Sequence, residues 1–411
     1  MKTKLLLTLT ILFFTLQSCD NKDDYVLVNV AKPMFMTKEA LRSSVEITHP
    51  QPIVKSGKIY AYKNLILVND LAKGIHIIDN EDPHNPNKVA FIKLIANNDM
   101  EIKGDFLYAD SFTDLVVFDI SDIHNIKKVS RLKDVFPVFI PFPSMDNLVV
   151  EYGENTEGVI VNWDISQELR RIEDINYNSE LTDGGIRFTA SADATTGQGG
   201  SLARFKIVNE YLYAVDSHNI NIFNIENLGS PQQLNYISAG FDIETIFNRG
   251  SYLFLGSMRG MYIYDIESPV SPQFISEFQH GTACDPVVVD DDYAYITLRA
   301  GNRCGALDSS LQIVDITNIY KPTLAKSYEM DNPYGLGVNG NLLFICDGNS
   351  GLKVYDKTNI DNLQLINHFR DINTYDVIPM ENHLLMIGEK VLYQYTYTDG
   401  GISLLSQFSL D

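Results

Sequence analysis

Residues 311–317 read LQIVDIT, a short run in which apolar and polar side chains alternate and which ends in Asp315 before a polar turn. Alternation with a period of two is the pattern of a β-strand. The pattern returns at residues 74–79, 115–119, 159–164, 220–224, 261–265 and 352–356, and in a weaker form at 392–396. Successive copies end 40, 45, 60, 41, 50, 41 and 40 residues apart, a spacing that chance alternation would not keep. The chain is therefore predicted to repeat one structural unit about eight times.

Each copy of the pattern lies among further strand-like segments, and Asn, Asp, Gly and Pro occupy the turns between them. Four strands over roughly 40 residues cannot bury their own apolar surface, whereas sheets arranged around an axis bury both faces against their neighbours. We therefore predict an all-β fold, a single β-propeller of four-stranded antiparallel blades over residues 41–411. Eight blades are expected, with seven as the alternative. Residues 41–56 are left over and are available to pair with the last blade.

Two copies carry a family resemblance. Residues 311–317 (LQIVDIT) and 115–121 (LVVFDIS) resemble the LVIVD repeat, a family of bacterial surface and secreted proteins that is regarded as propeller-forming. The resemblance is strong in the first, second, fifth, sixth and seventh copies. It is weaker in the third copy, which ends in Asn162-Trp163-Asp164, and in the eighth, where Thr396 replaces Asp. The family has no agreed catalytic motif, so the resemblance implies no reaction.

The N-terminus has the pattern of an export signal. Lys2 and Lys4 precede an apolar run at residues 5–16, which is too short to span a bilayer. The run leads into LQSC at residues 16–19, which resembles a bacterial lipobox. The resemblance implies that residues 1–18 are a signal peptide, that the thiol of Cys19 is lipid-modified, and that residues 19–40 are an acylated tether. A plain secretory signal with a chance cysteine is the alternative.

The acidic segment after Cys19 bears on location. DNKDD at residues 20–24 is similar to the signal that sends many Bacteroidota-type lipoproteins to the cell surface. We therefore predict a lipid anchor in the bacterial outer membrane, because acyl chains attach a protein without a transmembrane helix. The protein is expected to face the cell surface, with a periplasm-facing anchor as the alternative.

Composition excludes two classes of protein. The chain has 411 residues, of which 45% are hydrophobic and 21% charged, which is too apolar for disorder. The net charge of -21 leaves no basic surplus to displace counterions from phosphates. We therefore expect no nucleic-acid partner.

The acidic residues at the strand ends invite two interpretations. They could form a carboxylate array, or each could accept backbone N–H bonds and stabilise its own turn. Asn224 stands at the same position in the fourth copy and can accept the same bonds, which favours the structural interpretation. The residues concerned are Asp79, Asp119, Asp265, Asp315 and Asp356.

Apart from Cys19, the chain has three cysteines. Cys284 begins the sixth repeat and Cys304 lies in its enlarged loop, so a disulfide between them would hold that insertion, and an exported protein permits it. Two free thiols are the alternative. Cys346 lies in an alternating strand and is predicted to be a small core residue.

No sequence motif indicates a cofactor or a metal, and we predict neither. No motif identifies catalytic residues either, which favours a non-catalytic role and leaves an enzyme as the alternative. The largest irregularity is an insertion at residues 167–200, between the third and fourth copies. Long loops in compact repeat proteins are often functional. We predict that this insertion and the Cys304 loop cover a ligand surface at one end of the ring, formed by Trp163, Asp183, Arg187, Phe188 and Arg303.

These observations favour a non-catalytic binding or scaffold lipoprotein of the bacterial cell envelope with an unknown protein or glycan ligand. The alternative is a hydrolase or lyase that acts on an exported polysaccharide or peptide polymer from the propeller channel. A pair of channel acids with raised pKa values would favour the enzyme, and a featureless channel would favour the scaffold.

Overall fold

Four consecutive antiparallel strands, joined by short turns, form each blade of this fold. The computed structural model describes residues 25–138, 143, 147–153, 156–172, 198–280, 286–300 and 308–411. These residues form 33 strands and one short helix, α1 (Lys38–Ser43). The predicted all-β propeller is confirmed. Among the described residues, no helix is long and apolar enough to cross a membrane.

The first four blades of the ring are numbered in chain order. Blade 1 contains β3 (Ser56–Tyr62), β4 (Leu65–Asp70), β5 (Gly74–Asp79) and β6 (Asn87–Lys93). Blade 2 contains β7 (Met100–Lys103), β8 (Phe106–Ser111), β9 (Asp114–Asp119) and β10 (Lys127–Leu132). Blade 3 contains β14 (Phe205–Val208), β15 (Tyr211–Val215), β16 (Asn219–Asn224) and β17 (Gln232–Ser238). Blade 4 contains β18 (Ile243–Arg249), β19 (Tyr252–Ser257), β20 (Gly260–Asp265) and β21 (Gln273–Gln279).

Three further blades complete the ring. Blade 5 contains β22 (Val287–Val289), β23 (Tyr293–Leu298), β24 (Ser310–Asp315) and β25 (Thr323–Glu329). Blade 6 contains β26 (Leu336–Asn339), β27 (Leu342–Cys346), β28 (Leu352–Asp356) and β29 (Gln364–Phe369). Blade 7 contains β30 (Asp376–Pro379), β31 (His383–Ile387), β32 (Val391–Thr398) and β33 (Gly401–Ser409). The innermost strands contact one another in the order β3, β7, β14, β18, β22, β26, β30 and back to β3.

The core of the protein lies between the blades. Separate clusters of buried side chains join blades 1 and 2, 2 and 3, 3 and 4, 4 to 6, 6 and 7, and 7 and 1. Because strand side chains alternate between the two faces of a sheet, each blade contributes to the cluster on either side of it. The apolar alternation of the sequence is therefore satisfied only by a closed ring.

The number of blades in the ring is seven, the alternative given by the sequence. The described residues form eight sheets, as many as the repeat count predicts, but only seven of them belong to the ring. The third copy, residues 159–164, lies in β12 (Val159–Arg171), which belongs to a three-stranded sheet outside the ring. The physical reason is its pairing partner, because β12 runs for 13 residues against an N-terminal strand.

This outer sheet contains β1 (Tyr25–Met36), β12 and β11 (Leu148–Val150), in the order β11-β1-β12. Part of the segment predicted to be a tether, residues 19–40, is therefore a strand, because β1 pairs with β12 over its whole length. The predicted insertion at 167–200 is likewise partly regular, since its first residues continue β12. Its residues 173–197 lie outside the described residues.

Helix α1 attaches the outer sheet to the ring. Leu41 packs with Ala96 and Phe112 of blades 1 and 2, and Arg42 donates two bonds of 2.9 Å to the carboxylate of Asp114. Two short strands extend blade 1, since β2 (Glu46–Thr48) pairs with its outer edge and β13 (Gln198–Gly199) with its inner edge. The leftover residues 41–56 thus pair mainly with the first blade.

The strand-end acidic residues have the bonding expected of turn residues. In six copies the side-chain oxygen accepts the backbone N–H two residues later, at 2.6–3.0 Å. The hydroxyl and N–H of Thr317 lower the pKa of Asp315 in this way. The acceptors are Asp79, Asp119, Asn224, Asp265, Asp315 and Asp356.

The same turn joins neighbouring blades. The carbonyl four residues after the strand-end Asp or Asn accepts a bond from a side chain of the preceding blade at five of the seven junctions. The donors and acceptors are Tyr108 to Leu228, Tyr213 to Pro269, Ser276 to Ile319, Tyr328 to Ile360, and Gln394 to Pro83. A turn that keeps its shape therefore also keeps a contact between blades.

The ring closes between blade 7 and blade 1 without exchanging a strand, since each of these blades takes its four strands from one continuous stretch. Side-chain amides of Asn80 and Gln394 pair with each other at 3.1 and 2.7 Å. Ile53 donates its N–H to the carbonyl of Leu410 at 2.9 Å. One buried amide pair, a backbone hydrogen bond and a shared apolar cluster hold blades 7 and 1 together.

We predict that Asp315→Ala lowers the free energy of unfolding by about 1 kcal/mol, because the N–H of Thr317 loses its acceptor. Asp315→Asn is the matched control and should stay close to the wild type, since Asn224 makes the same bond in blade 3. Urea titration measures both variants. Equal losses for Ala and Asn would contradict the turn interpretation.

Candidate functional site: the central channel

The innermost strands of blades 1 to 4 and 7 place charged side chains around the ring axis. Each comes from a polar position in an otherwise apolar inner strand or from the residue just before it. They are Lys58, Asp99, Glu101, Arg204, Lys206, Glu244 and Asp376, and all are buried. We call these residues the channel cluster. The inner strands of blades 5 and 6 contribute apolar residues at the same level.

Residues 198–203, which we call the channel segment, occupy the axis inside this cluster. Gln198 and Gly199 pair with β3 as an extra inner strand. Gly200 then donates its N–H to Ile59 at 3.1 Å, and Ala203 accepts from the N–H of Ile246 at 3.1 Å. The protein's own main chain therefore fills the space that a ligand would need.

Ser201 is the centre of the hydrogen bonding. Its N–H and its hydroxyl donate to the same carboxylate oxygen of Asp376, at 2.8 and 2.9 Å. The hydroxyl oxygen in turn accepts the N–H of Leu336 at 2.7 Å. Through these bonds the channel segment joins blades 6 and 7, while Gly200 and Ala203 join it to blades 1 and 4.

Two glycines make this close approach possible. A Cβ on Gly200 would lie 1.9 Å from a carboxylate oxygen of Asp376. A Cβ on Gly335 would lie 2.2 Å from the other oxygen and 2.5 Å from the Ser201 hydroxyl. Any side chain at either position would displace Asp376 or the channel segment.

Opposite charges offset each other within the cluster. The ammonium of Lys58 lies 2.8 Å from Asp99, and that of Lys206 lies 3.7 Å from Glu101. Asp99 also accepts the backbone N–H groups of Arg204 and Phe205. The first residues of blade 3 are therefore held against blades 1 and 2.

Burial shifts the ionisation of these groups because it disfavours the charged form. It raises the pKa of Glu101 to about 7 and that of Asp376 to about 7. It lowers the pKa of Lys58 to about 7, although Asp99 acts in the opposite direction. Carboxyl groups that titrate near neutral pH could exchange protons with a substrate. In this structure, however, the channel segment lies beside them in the place of a substrate.

A second group of polar and aromatic residues lies at one end of the ring. We call this end the loop face; it carries the turns between the second and third strands of each blade and the connections between blades. The guanidinium of Arg299 lies 4.1 Å from the ring centroid of Tyr334, which packs edge-on against Tyr375 at 5.3 Å. Phe241 is 60% exposed, with the guanidinium of Arg259 5.9 Å away.

The residues predicted to form a ligand surface are only partly described. Trp163 lies on β12 of the outer sheet and is half-buried. The others lie outside the described residues, as do the lipidation candidate and the disulfide candidates; they are Asp183, Arg187, Phe188, Arg303, Cys19, Cys284 and Cys304. Cys346 is buried in β27, in the core between blades 6 and 7. In the described part of the chain, no group of His, Cys, Asp or Glu could hold a metal ion.

Sequence reasoning missed the channel cluster. A signal was present, because Lys58, Glu101 and Lys206 are single charges inside short apolar strands, and Gly199-Gly200-Ser201 precedes the fourth copy. What the pattern could not indicate is that these strands are the innermost ones. Which strand of a blade lies nearest the axis depends on how the sheets pack against one another.

Comparison with known proteins supports the repeat assignment. The family model described as the LVIVD repeat matches residues 97–131 and 280–330, which correspond to blades 2 and 5. The chain therefore contains LVIVD repeats, and the resemblance predicted at 115–121 and 311–317 is confirmed. No curated protein matches the chain significantly.

Solved structures share the fold at low identity. A functionally unknown protein from Desulfotomaculum acetoxidans is 12% identical with a TM-score of 0.51, over 85% of this chain and 98% of that one. Kluyveromyces lactis Hsv2 is 10% identical with a TM-score of 0.50, over 87% and 100%. Saccharomyces cerevisiae Sqt1 is 9% identical with a TM-score of 0.50, over 87% and 86%. At these identities the similarity concerns the fold alone.

The raised pKa of Asp376 leads to a prediction about pH. Because burial raises it to about 7 from 3.8, the folded protein retains a proton that the unfolded chain has already released. The stability from this group is therefore complete below about pH 4 and is lost as the pH rises to about 7. Asp376→Asn has no such proton, so it should lose less stability than the wild type between these pH values, by on the order of 1–3 kcal/mol.

Urea titrations of both proteins at about pH 4 and pH 8 measure this difference. Asp371→Asn is the control, because it removes the same charge from an exposed loop. Parallel pH dependences for the wild type and Asp376→Asn would contradict the burial argument.

Proposed function

We propose that this protein is a non-catalytic binding or scaffold propeller of the bacterial cell envelope. In this proposal it is a lipoprotein, attached to the outer membrane through acyl chains on Cys19 and facing the cell surface. The lipobox-like LQSC at residues 16–19 and the acidic DNKDD that follows support the anchor and the location. An anchor that faces the periplasm is the alternative location.

The observation that carries the non-catalytic role is the channel segment. The propeller fold and its central channel together would offer a site for an enzyme, but here residues 198–203 fill the axis and bond to four of the seven blades. The channel cluster is consequently a structural centre that rigidifies the ring. A rigid ring with polar loops at its ends is suited to presenting a binding surface.

The loop face has the chemistry for such a surface. Aromatic rings beside guanidinium groups at a surface contact sugar rings, carboxylates or protein side chains without needing a deep pocket. Phe241 with Arg259, and Tyr334 with Arg299, provide two such places on the same end of the ring. The ligand we propose is therefore a protein or glycan of the envelope.

One observation favours the enzyme alternative. Glu101 and Asp376 both titrate near neutral pH, as general acids and bases often do. A hydrolase or lyase would require the channel segment to leave the axis and admit a polysaccharide or peptide polymer. This alternative would be established if the wild type cleaved an envelope polymer and Glu101→Gln abolished the cleavage while the fold was preserved.

Capture experiments test the binding role. We expect chemical crosslinking of the acylated protein in its native envelope to recover a specific partner, and Phe241→Ala with Arg299→Ala to lose it, because both side chains lie on the loop face. Tyr236→Ala is the matched control, since Tyr236 is an equally exposed aromatic residue on the outer strand of blade 3. Equal recovery by all variants would contradict a binding role for the loop face.

Cys19→Ala tests the anchor. The wild type should incorporate a palmitate analogue and sediment with the outer membrane, and Cys19→Ala should do neither, because the thiol is the acceptor. Cys346→Ala should behave like the wild type, since that thiol is buried in the core. Protease treatment of intact cells then distinguishes the surface from the periplasm, and an unlabelled wild type would refute the lipoprotein.

A further inference from the structure

The outer sheet is a long arm of which one end is docked on the ring. Strand β1 pairs with β12 from Met36, opposite Val159, to Tyr25, opposite Arg171. The cluster that joins this sheet to the ring contains Met36, Val159 and Val161 from the docked end. At about 3.4 Å per residue, the other end lies roughly 35 Å further along the strands.

The two faces of the arm differ in chemistry. One face carries ion pairs, with Lys32 3.5 Å from Glu151 and 3.8 Å from Glu168, over the buried Val28 and Val30. The other face is open and carries four exposed apolar side chains, with Gln167 donating to Asn29 at 3.2 Å between Ile165 and the other three. Tyr25 is 51% exposed, Leu27 52%, Ile165 41% and Leu169 66%. We call these four residues the apolar arm face.

The register places the four residues on one side. Leu27 lies directly opposite Leu169, and Tyr25 lies opposite Arg171. Residues that oppose each other in an antiparallel pair project from the same face, and residues two apart on a strand do so too. Ile165 therefore shares the face with Leu169. Tyr25, Leu27 and Leu169 thus form an exposed apolar patch at the free end, and Ile165 lies beyond the Asn29–Gln167 pair on the same face. An exposed apolar patch of this kind indicates a contact with another surface.

The chain outside the described residues indicates what that surface is. Cys19 precedes Tyr25 by six residues, a span of at most about 20 Å when extended. Acyl chains on Cys19 would therefore hold the free end of the arm at the lipid headgroups. The guanidinium of Arg171 lies 5.8 Å from the ring of Tyr25, and such amphipathic pairs suit the boundary between lipid and water.

We propose that the apolar arm face lies on the outer-membrane lipid surface beside the acyl anchor, a step that rests on the acylation proposed above. Lipid attachment alone leaves a protein free to rotate about its tether. A second, apolar contact from a sheet that is docked on the ring gives the ring one orientation. The arm is thus a membrane-contact element that orients the propeller.

Two neighbouring positions on β12 provide a matched pair for testing this. Ile165 belongs to the apolar arm face, and Ser166 is an exposed residue on the opposite face. Trp163 is the only tryptophan, so Trp163→Phe removes the background fluorescence. The reporters are Ile165→Trp and Ser166→Trp in that background, each in the acylated full-length protein.

The measurement is fluorescence quenching in vesicles of phosphatidylethanolamine and phosphatidylglycerol, with or without brominated acyl chains. We expect brominated lipid to reduce the emission of the I165W reporter and to leave that of S166W unchanged. Leu27→Ser with Leu169→Ser should reduce the quenching of I165W while circular dichroism stays unchanged. Equal emission with both lipids, in protein that sediments with the vesicles, would overturn the proposal.

A second arrangement separates this proposal from the anchor. Residues 20–411 with an N-terminal histidine tag are held on vesicles that contain nickel-chelating lipid, so that no acylation is needed. Quenching of I165W here supports the lipid contact even where Cys19 proves unmodified. The protein could instead form a dimer in solution that Leu27→Ser with Leu169→Ser converts to a monomer. That result, together with no quenching on vesicles, would assign the face to a second copy and overturn the proposal.

Discussion

Burial of both faces of every blade is the constraint on which this structure depends. A sheet of four short strands has two apolar surfaces, and the described part of the chain supplies no helix that covers either of them, so each surface must pack against another sheet. Buried clusters accordingly follow one another round the ring, including one between the first and last blades. Loss of any junction would expose two faces at once, so the ring is expected to unfold as a cooperative unit.

Burial of apolar surface is not directional, and hydrogen bonds determine how neighbouring blades are oriented. The strand-end Asp or Asn stabilises a turn, and the turn's carbonyl accepts a bond from the blade before it, as between Tyr213 and Pro269. One residue type in the repeat thus serves its own turn and the neighbouring junction. At the axis the channel segment has a similar role on a larger scale, because Ser201 and Asp376 connect blades that are distant in the chain.

Two elements outside the repeat pattern, the channel segment and the arm, distinguish this ring from a ring of identical blades. The channel segment fills the axis, and the function proposed above therefore assigns ligand contact to the loop face. The arm adds a sheet that has no counterpart in the other copies, docked through Leu41 and Arg42. The ring therefore has a filled centre and one side that differs from the others. A binding module that is held in one orientation needs both properties.

The sequence by itself determined the strand content, the repeat, the propeller class and the turn role of residues such as Asp315, because these follow from periodicity and local hydrogen bonding. Only the tertiary structure decided that the third copy leaves the ring, since β12 prefers a longer partner in β1. The site was likewise decided by tertiary contacts. Asp376 and Ser201 are 175 residues apart, and no local pattern indicates which side chains meet where separate sheets converge on an axis.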